Sequence, residues 1–130
     1  MTFHITSLYA AALGLLAIAL TFHVIVMRAR SGVSFLHGDN MALAERIRRH
    51  GNFMEFVPLA LLLLALAEAA GASRMGLHLS GGLLLAARLI HPFGIIHDRS
   101  VHPARVIGAL GTVISMLIAI GLICWTRFMS

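Results

Sequence analysis

The chain has 130 residues, of which 59% are hydrophobic and 12% charged, and a formal net charge of +5. A water-soluble domain is normally about a quarter charged, so this composition excludes an ordinary soluble domain and makes the bilayer the expected solvent. All ten basic residues other than histidine are arginines, and they sit between apolar segments, so the pI of about 11.4 reads as membrane topology and not as a nucleic-acid footprint.

The first apolar segment covers about 5–27. The residues ahead of it, Met1-Thr2-Phe3-His4, lack a basic leader, and the run is too long for a cleaved signal peptide. A connection bearing Arg28 and Arg30 follows, then Asp39-Asn40, a side-chain cap for a helix expected over about 41–70. Pro58 falls inside that helix, where it removes a backbone donor and is expected to bend it. Gly71 suits its C-terminal cap. The third helix is expected over about 75–91, weakening at His91 because the residue before Pro92 is pushed out of the helical region. Pro103 suits the opening of a fourth helix over about 104–125.

Each segment approaches the ~20 residues that cross ~30 Å of hydrocarbon, the third being shortest. Lipid offers no partner to a free backbone amide, so the segments must be helices. The expected fold is therefore all-α, a four-helix transmembrane bundle filling 1–130 as one membrane domain. The first connection holds Arg28, Arg30, Arg46, Arg48 and Arg49, and the third holds Arg99 and Arg105; the second has only Arg74. By the positive-inside rule the arginine-rich end faces the cytoplasm and both termini lie outside it.

Gly108, Gly111, Ser115 and Ala119 form a small-residue strip on the fourth helix, and Gly81 and Gly82 offer another on the third. Such strips let helix backbones approach closely, within a bundle or between copies. The sole cysteine, Cys124, excludes an internal disulfide and reads as a packing residue. Glu68, near the outer end of the second helix, is expected to meet water or Arg74.

The polar residues concentrate at the arginine-rich end. Arg48, Asn52, Glu55 and Leu59 share one helix face, and Arg88 and His91 are neighbours near the end of the third helix. Glu55 and Arg88 enter from the same side and lie at similar depth. An ionisable group in the membrane costs ~3 kcal/mol or more unless it faces protein, water or a partner. Two readings fit: a Glu55–Arg88 ion pair that stitches helices together, or a recessed binding site.

The stretch "ERIRRHGNFMEFVP" resembles the second-helix signature of the MAPEG family, the membrane-associated proteins of eicosanoid and glutathione metabolism. Arg48, Asn52, Glu55, Phe56 and Pro58 meet its spacing. "ARLIHPFG" (Ala87 to Gly94) resembles the family's third-helix end, Arg105-x-x-Gly108 its fourth-helix opening, and "HGDN" its short bacterial branch.

The resemblance implies a homotrimer in the bacterial inner membrane, with glutathione as co-substrate held between subunits near the cytosolic face. It implies that Arg105 stabilises the thiolate, that Arg48, Asn52 and Glu55 position glutathione with Arg28 or Arg30, and that Phe56, Arg88 and His91 belong to the same site. Paired guanidinium donors suit the carboxylates of glutathione, and a carboxylate suits its ammonium.

The implied function is a glutathione transferase or peroxidase acting on apolar electrophiles or lipids; the alternative is a non-catalytic lipid- or glutathione-binding membrane module. Phe56, His91 and Ile95 stand where the eicosanoid-making members carry tyrosines, which argues against eicosanoid chemistry. A rival reading, haem between facing imidazoles, suits a four-helix bundle. However, His23, His50, His91, His97 and His102 gather at one end and His78 lies near the other. No metal site is expected.

Overall fold

A computed structural model describes residues 2–129; Met1 and Ser130, the two ends of the expected domain, lie outside the described residues. Four α-helices follow in chain order: α1 (His4–Ser31), α2 (Met41–Ala69), α3 (Arg74–Ile90) and α4 (Pro103–Phe128). A single 3-10 turn, η1 (His91–Gly94), extends α3. The family of helices is the all-α bundle that the apolar segments require.

Local chemistry fixes where each helix begins and ends. The Asn40 side chain accepts from the Leu43 N–H at 3.0 Å and opens α2. Ser73 does the same for α3 through Gly76, and the His102 ring accepts from Ala104 at the start of α4, with Pro103 in the first turn. α1 runs to Ser31, past its expected end at 27, and stops where Gly32 (φ +68°) takes the left-handed capping conformation. Gly71 (φ +81°) adopts that conformation just beyond the α2 cap, Ala70. Pro58 lies within α2 without interrupting it. α3 gives way to η1 at His91, ahead of Pro92.

Three helices, α1, α2 and α4, are long and apolar enough to cross a membrane. α3 has 17 residues, which at ~1.5 Å per residue reach about 25 Å, short of a full span but continued by η1. Leu13, Leu20, Phe53, Val57, Ala60 and Leu84 form the main core cluster, and Ile5, Leu64, Ala67, Ala72 and Leu77 a second one toward the opposite end. Outward, Leu15, Phe22, Leu62 and Leu117 are more than half exposed, as expected of surfaces that meet lipid tails.

The most extensive helix pairing is α3 with α4, and it uses the small strip of α4. A Cβ on Gly108 would lie 2.5 Å from that of His91, and one on Gly111 2.9 Å from that of Ala87. Ser80 and Ser115 each donate to the other's backbone carbonyl, at 2.9 and 2.8 Å. The strip therefore builds the bundle itself. On α3, Gly81 accommodates the Tyr9 ring of α1, which a Cβ would strike.

Candidate functional site

The close approach of α4 to α3 decides the geometry of the polar residues. It draws Arg88 inward, behind α2, where its Nη1 donates to Asn52 Oδ1 at 3.0 Å and its Nη2 to the Gly108 carbonyl at 3.2 Å. The expected Glu55–Arg88 ion pair does not form. Glu55 instead pairs with Arg48, two turns back on the same helix, at 3.1 Å, and both side chains are about half exposed. The Arg88 Cζ also lies 5.8 Å from the centre of the Phe56 ring, within cation–π reach.

Arg88 is 2% exposed, yet among the described residues no carboxylate reaches it, and its Nε has no acceptor. A buried guanidinium left without a counter-charge is costly, so the surroundings favour an anion. Asn52, Phe56, Arg88, His91, Arg105 and Thr112 line a cavity of about 180 Å³ beside it. His91 is 4% exposed.

Arg105 reaches this cavity because of Gly94. A Cβ at Gly94 would collide with the backbone nitrogen of Arg105, so the glycine lets the turn after α3 lie directly on the first turn of α4. Arg105 Nη1 donates to the Ser100 carbonyl at 3.3 Å, leaving the rest of an exposed guanidinium for a ligand. The same residue lines a second, more open cavity of about 380 Å³ with Glu45, Arg48, His97 and Arg99. The two cavities thus share Arg105, one recessed and one at the mouth. Glu45 shapes the mouth by accepting the His97 backbone N–H at 2.9 Å and contacting its Nδ1 at 2.6 Å.

Of the residues singled out from sequence, Arg48, Asn52, Phe56, Arg88, His91 and Arg105 line these cavities, and Glu55 joins them through Arg48. Arg28 and Arg30 line neither. Arg28 is spent on its own loop, donating to the Val33 and Leu36 carbonyls at 3.2 and 2.8 Å, and Arg30 is exposed. Among the described residues Glu68 makes no ion pair with Arg74: its carboxylate accepts the Ile5 and Thr6 N–H groups at 2.9 and 2.7 Å, capping α1 from α2.

Arg99, Ala109, Thr112 and Val113 were not singled out. Their signal was present for three of them, because positions 105, 109, 112 and 113 share one face of α4. Among the described residues, no group of three or more His, Cys, Asp or Glu side chains could hold a metal ion.

The model of the MAPEG family matches residues 6–125, from α1 through α4. The chain belongs to the MAPEG family. It is 36% identical over 93 residues to a protein named inner membrane protein YecN from Escherichia coli K12, covering 72% of this chain and 71% of that relative. The protein of the same name from Escherichia coli O6:H1 matches with the same identity and coverage. No solved structure matches. The MAPEG match contains every residue of both cavities.

Proposed function

We propose that this MAPEG protein binds glutathione in the paired cavities and uses its thiol on apolar electrophiles or lipid peroxides. The observation that carries the reading is the buried Arg88, without a carboxylate, beside a cavity that it shares with Arg105. A peptide thiol with two carboxylates answers that charge. Arg48, Arg99 and Arg105 at the mouth suit its carboxylates through paired donors, Glu55 or Glu45 suits its ammonium, and Asn52 donates and accepts at once.

Arg105 touches both cavities, so a carboxylate held at the mouth leaves the thiol in the recessed one. A guanidinium beside a thiol favours its ionised form, and the proton leaves through the open mouth. When bound, the thiol supplies the nucleophile: its sulfur bonds an electrophilic carbon as the leaving group departs with its electron pair, or two such thiols become a disulfide while a peroxide is reduced to an alcohol and water. Phe56, Ala109 and Val113 offer the apolar wall by which a lipophilic partner arrives.

The working unit is a homotrimer in the bacterial inner membrane, with the arginine-rich end in the cytoplasm. Support comes from the half-exposed Arg48–Glu55 pair: a lipid-facing ion pair would be costly, and a neighbouring copy would cover it. The related proteins are named as inner membrane proteins.

Phe56, His91 and Ile95 provide no phenolic hydroxyl to the site, which favours a second reading, a non-catalytic lipid- or glutathione-binding module. Calorimetry of glutathione on detergent-purified protein, wild type beside Glu55→Gln and Arg105→Ala, tests the binding. Saturable binding weakened by both substitutions supports the site. No binding at millimolar glutathione to folded protein removes it. A conjugation assay then separates enzyme from module.

A further inference from the structure

A third cavity, of about 290 Å³, opens between α1, α3 and η1, and shares only Ile96 with the mouth cavity. Its floor is apolar: Leu16 and Leu20 of α1 face Leu89 of α3 and Phe93 of η1, the last two being 49% and 75% exposed. Along α1 the lining residues Leu16, Ala19, Leu20 and His23 fall on one face. The crevice is therefore an open lateral groove that becomes polar toward the arginine-rich end.

At that end His23 and Arg49 line the crevice, and Arg46 adjoins it through the His23 backbone. The Arg49 Nε is buried with no acceptor. Arg46 donates Nη1 to the His23 carbonyl at 3.1 Å, which sets its guanidinium against the same turn of α1. Among the described residues the His23 ring has no hydrogen-bond partner. Glu45 contacts Arg49 at 3.5 Å but is held more closely by His97 at 2.6 Å, so the cluster keeps a positive balance.

We infer that this crevice seats one acyl chain of an anionic phospholipid from the leaflet at the arginine-rich end, with the phosphate held by Arg49, Arg46 and His23. The order of the lining matches such a lipid, with hydrocarbon along Leu16, Leu20 and Leu89 and charge at the rim. Basic pockets between membrane helices on this side of a bilayer suit anionic headgroups. A zwitterionic lipid would fill the groove and bring a phosphate too, but with a quaternary ammonium attached that the two arginines oppose, so the net negative charge sets the preference.

Native mass spectrometry of the protein, with dioleoyl phosphatidylglycerol, dioleoyl phosphatidylcholine and free oleate added separately, tests the inference. The wild type is expected to retain phosphatidylglycerol more strongly than phosphatidylcholine, by about fivefold for each arginine engaged. Arg49→Gln and Arg46→Gln should each reduce that preference and Arg49→Lys restore it; Ala19→Trp, which fills the groove, should reduce retention of both lipids. Should Arg49→Gln fail to fold, because Arg49 also holds the Ile95 carbonyl, Arg46→Gln carries the charge test. Equal retention of the two lipids, unchanged retention in Ala19→Trp, a preference for free oleate over the phospholipid, or a change of oligomeric mass in Ala19→Trp would each overturn it.

Discussion

Arg88 Nη1 donates to Asn52 Oδ1 across 3.0 Å, and this contact joins the polar face of α2 to the buried guanidinium of α3. Asn52 is the only side-chain acceptor that Arg88 has among the described residues; the other acceptor is the Gly108 carbonyl. Asn52→Ala should therefore destabilise the bundle by about 1.5–3 kcal/mol, the range for a hydrogen bond to a charged group. Asn52→Asp should separate stability from function. It supplies Arg88 with a carboxylate, so the fold should hold while the cavity loses its pull on anions. Denaturant titration in detergent should show a near-wild-type midpoint for Asn52→Asp, and calorimetry should show weakened glutathione binding. Tight binding by Asn52→Asp would disconnect Arg88 from the ligand.

Gly94 controls where Arg105 stands. An alanine there would place its Cβ on the Arg105 backbone, and backbone cannot rotate away as a side-chain tip can. Gly94→Ala should cost about 1–3 kcal/mol through overpacking and push the start of α4 off η1. Glutathione affinity should then fall as it does in Arg105→Ala, although the guanidinium remains in the sequence. Gly121, inside α4 with an open Cβ position, gives the control: Gly121→Ala should leave the affinity unchanged and raise the unfolding midpoint slightly, since alanine favours a helix interior over glycine.

Glu68 acts at the far end of the molecule. Its carboxylate satisfies the Ile5 and Thr6 N–H groups, donors that α1 cannot pair within itself. No side chain of α1 performs this task, since Phe3 at the cap position makes no such bond. Glu68→Ala should cost about 1–2 kcal/mol, as loss of a helix cap does, and should increase hydrogen exchange at the first turn of α1. Glutathione binding should be unaffected, because Glu68 lines neither cavity of the site.

The reach of sequence reasoning differs between these residues for physical reasons. Helix existence, caps and stops were legible because local residues determine them: Asn40, Gly71 and Pro103 carry their signals within one turn. The polar face of Arg48, Asn52 and Glu55 was legible from helical spacing. Its pairing was not, because whether Arg88 meets Glu55 or Asn52 depends on how deeply α4 settles into α3, a matter of Gly108 and Gly111. Glu68 escaped for a similar reason. Its partners are 62 and 63 residues away in the chain, and no spacing rule links them. Arg28 lies close to the polar face in sequence but folds back on its own loop.

Ser80 and Ser115 bear on whether the strip of α4 holds the protomer or an assembly together. Each hydroxyl donates to the partner residue's backbone carbonyl, at 2.9 and 2.8 Å, while the two Oγ atoms are 3.3 Å apart. Replacing either serine by alanine removes one donor but leaves the carbonyl that the other serine uses, so neither substitution disables its neighbour's bond. Each single alanine should cost about 0.6–2 kcal/mol, the range for polar contacts between membrane helices. The double variant should come close to the sum, with only the Oγ–Oγ contact contributing coupling. Unfolding midpoints of the four proteins measure this cycle, and crosslinking in detergent reads the assembly. Because both serines are buried between α3 and α4 of one chain, the oligomeric state should stay the same in all four. A dissociated double variant with an unchanged unfolding midpoint would move the strip from the protomer to an interface between copies.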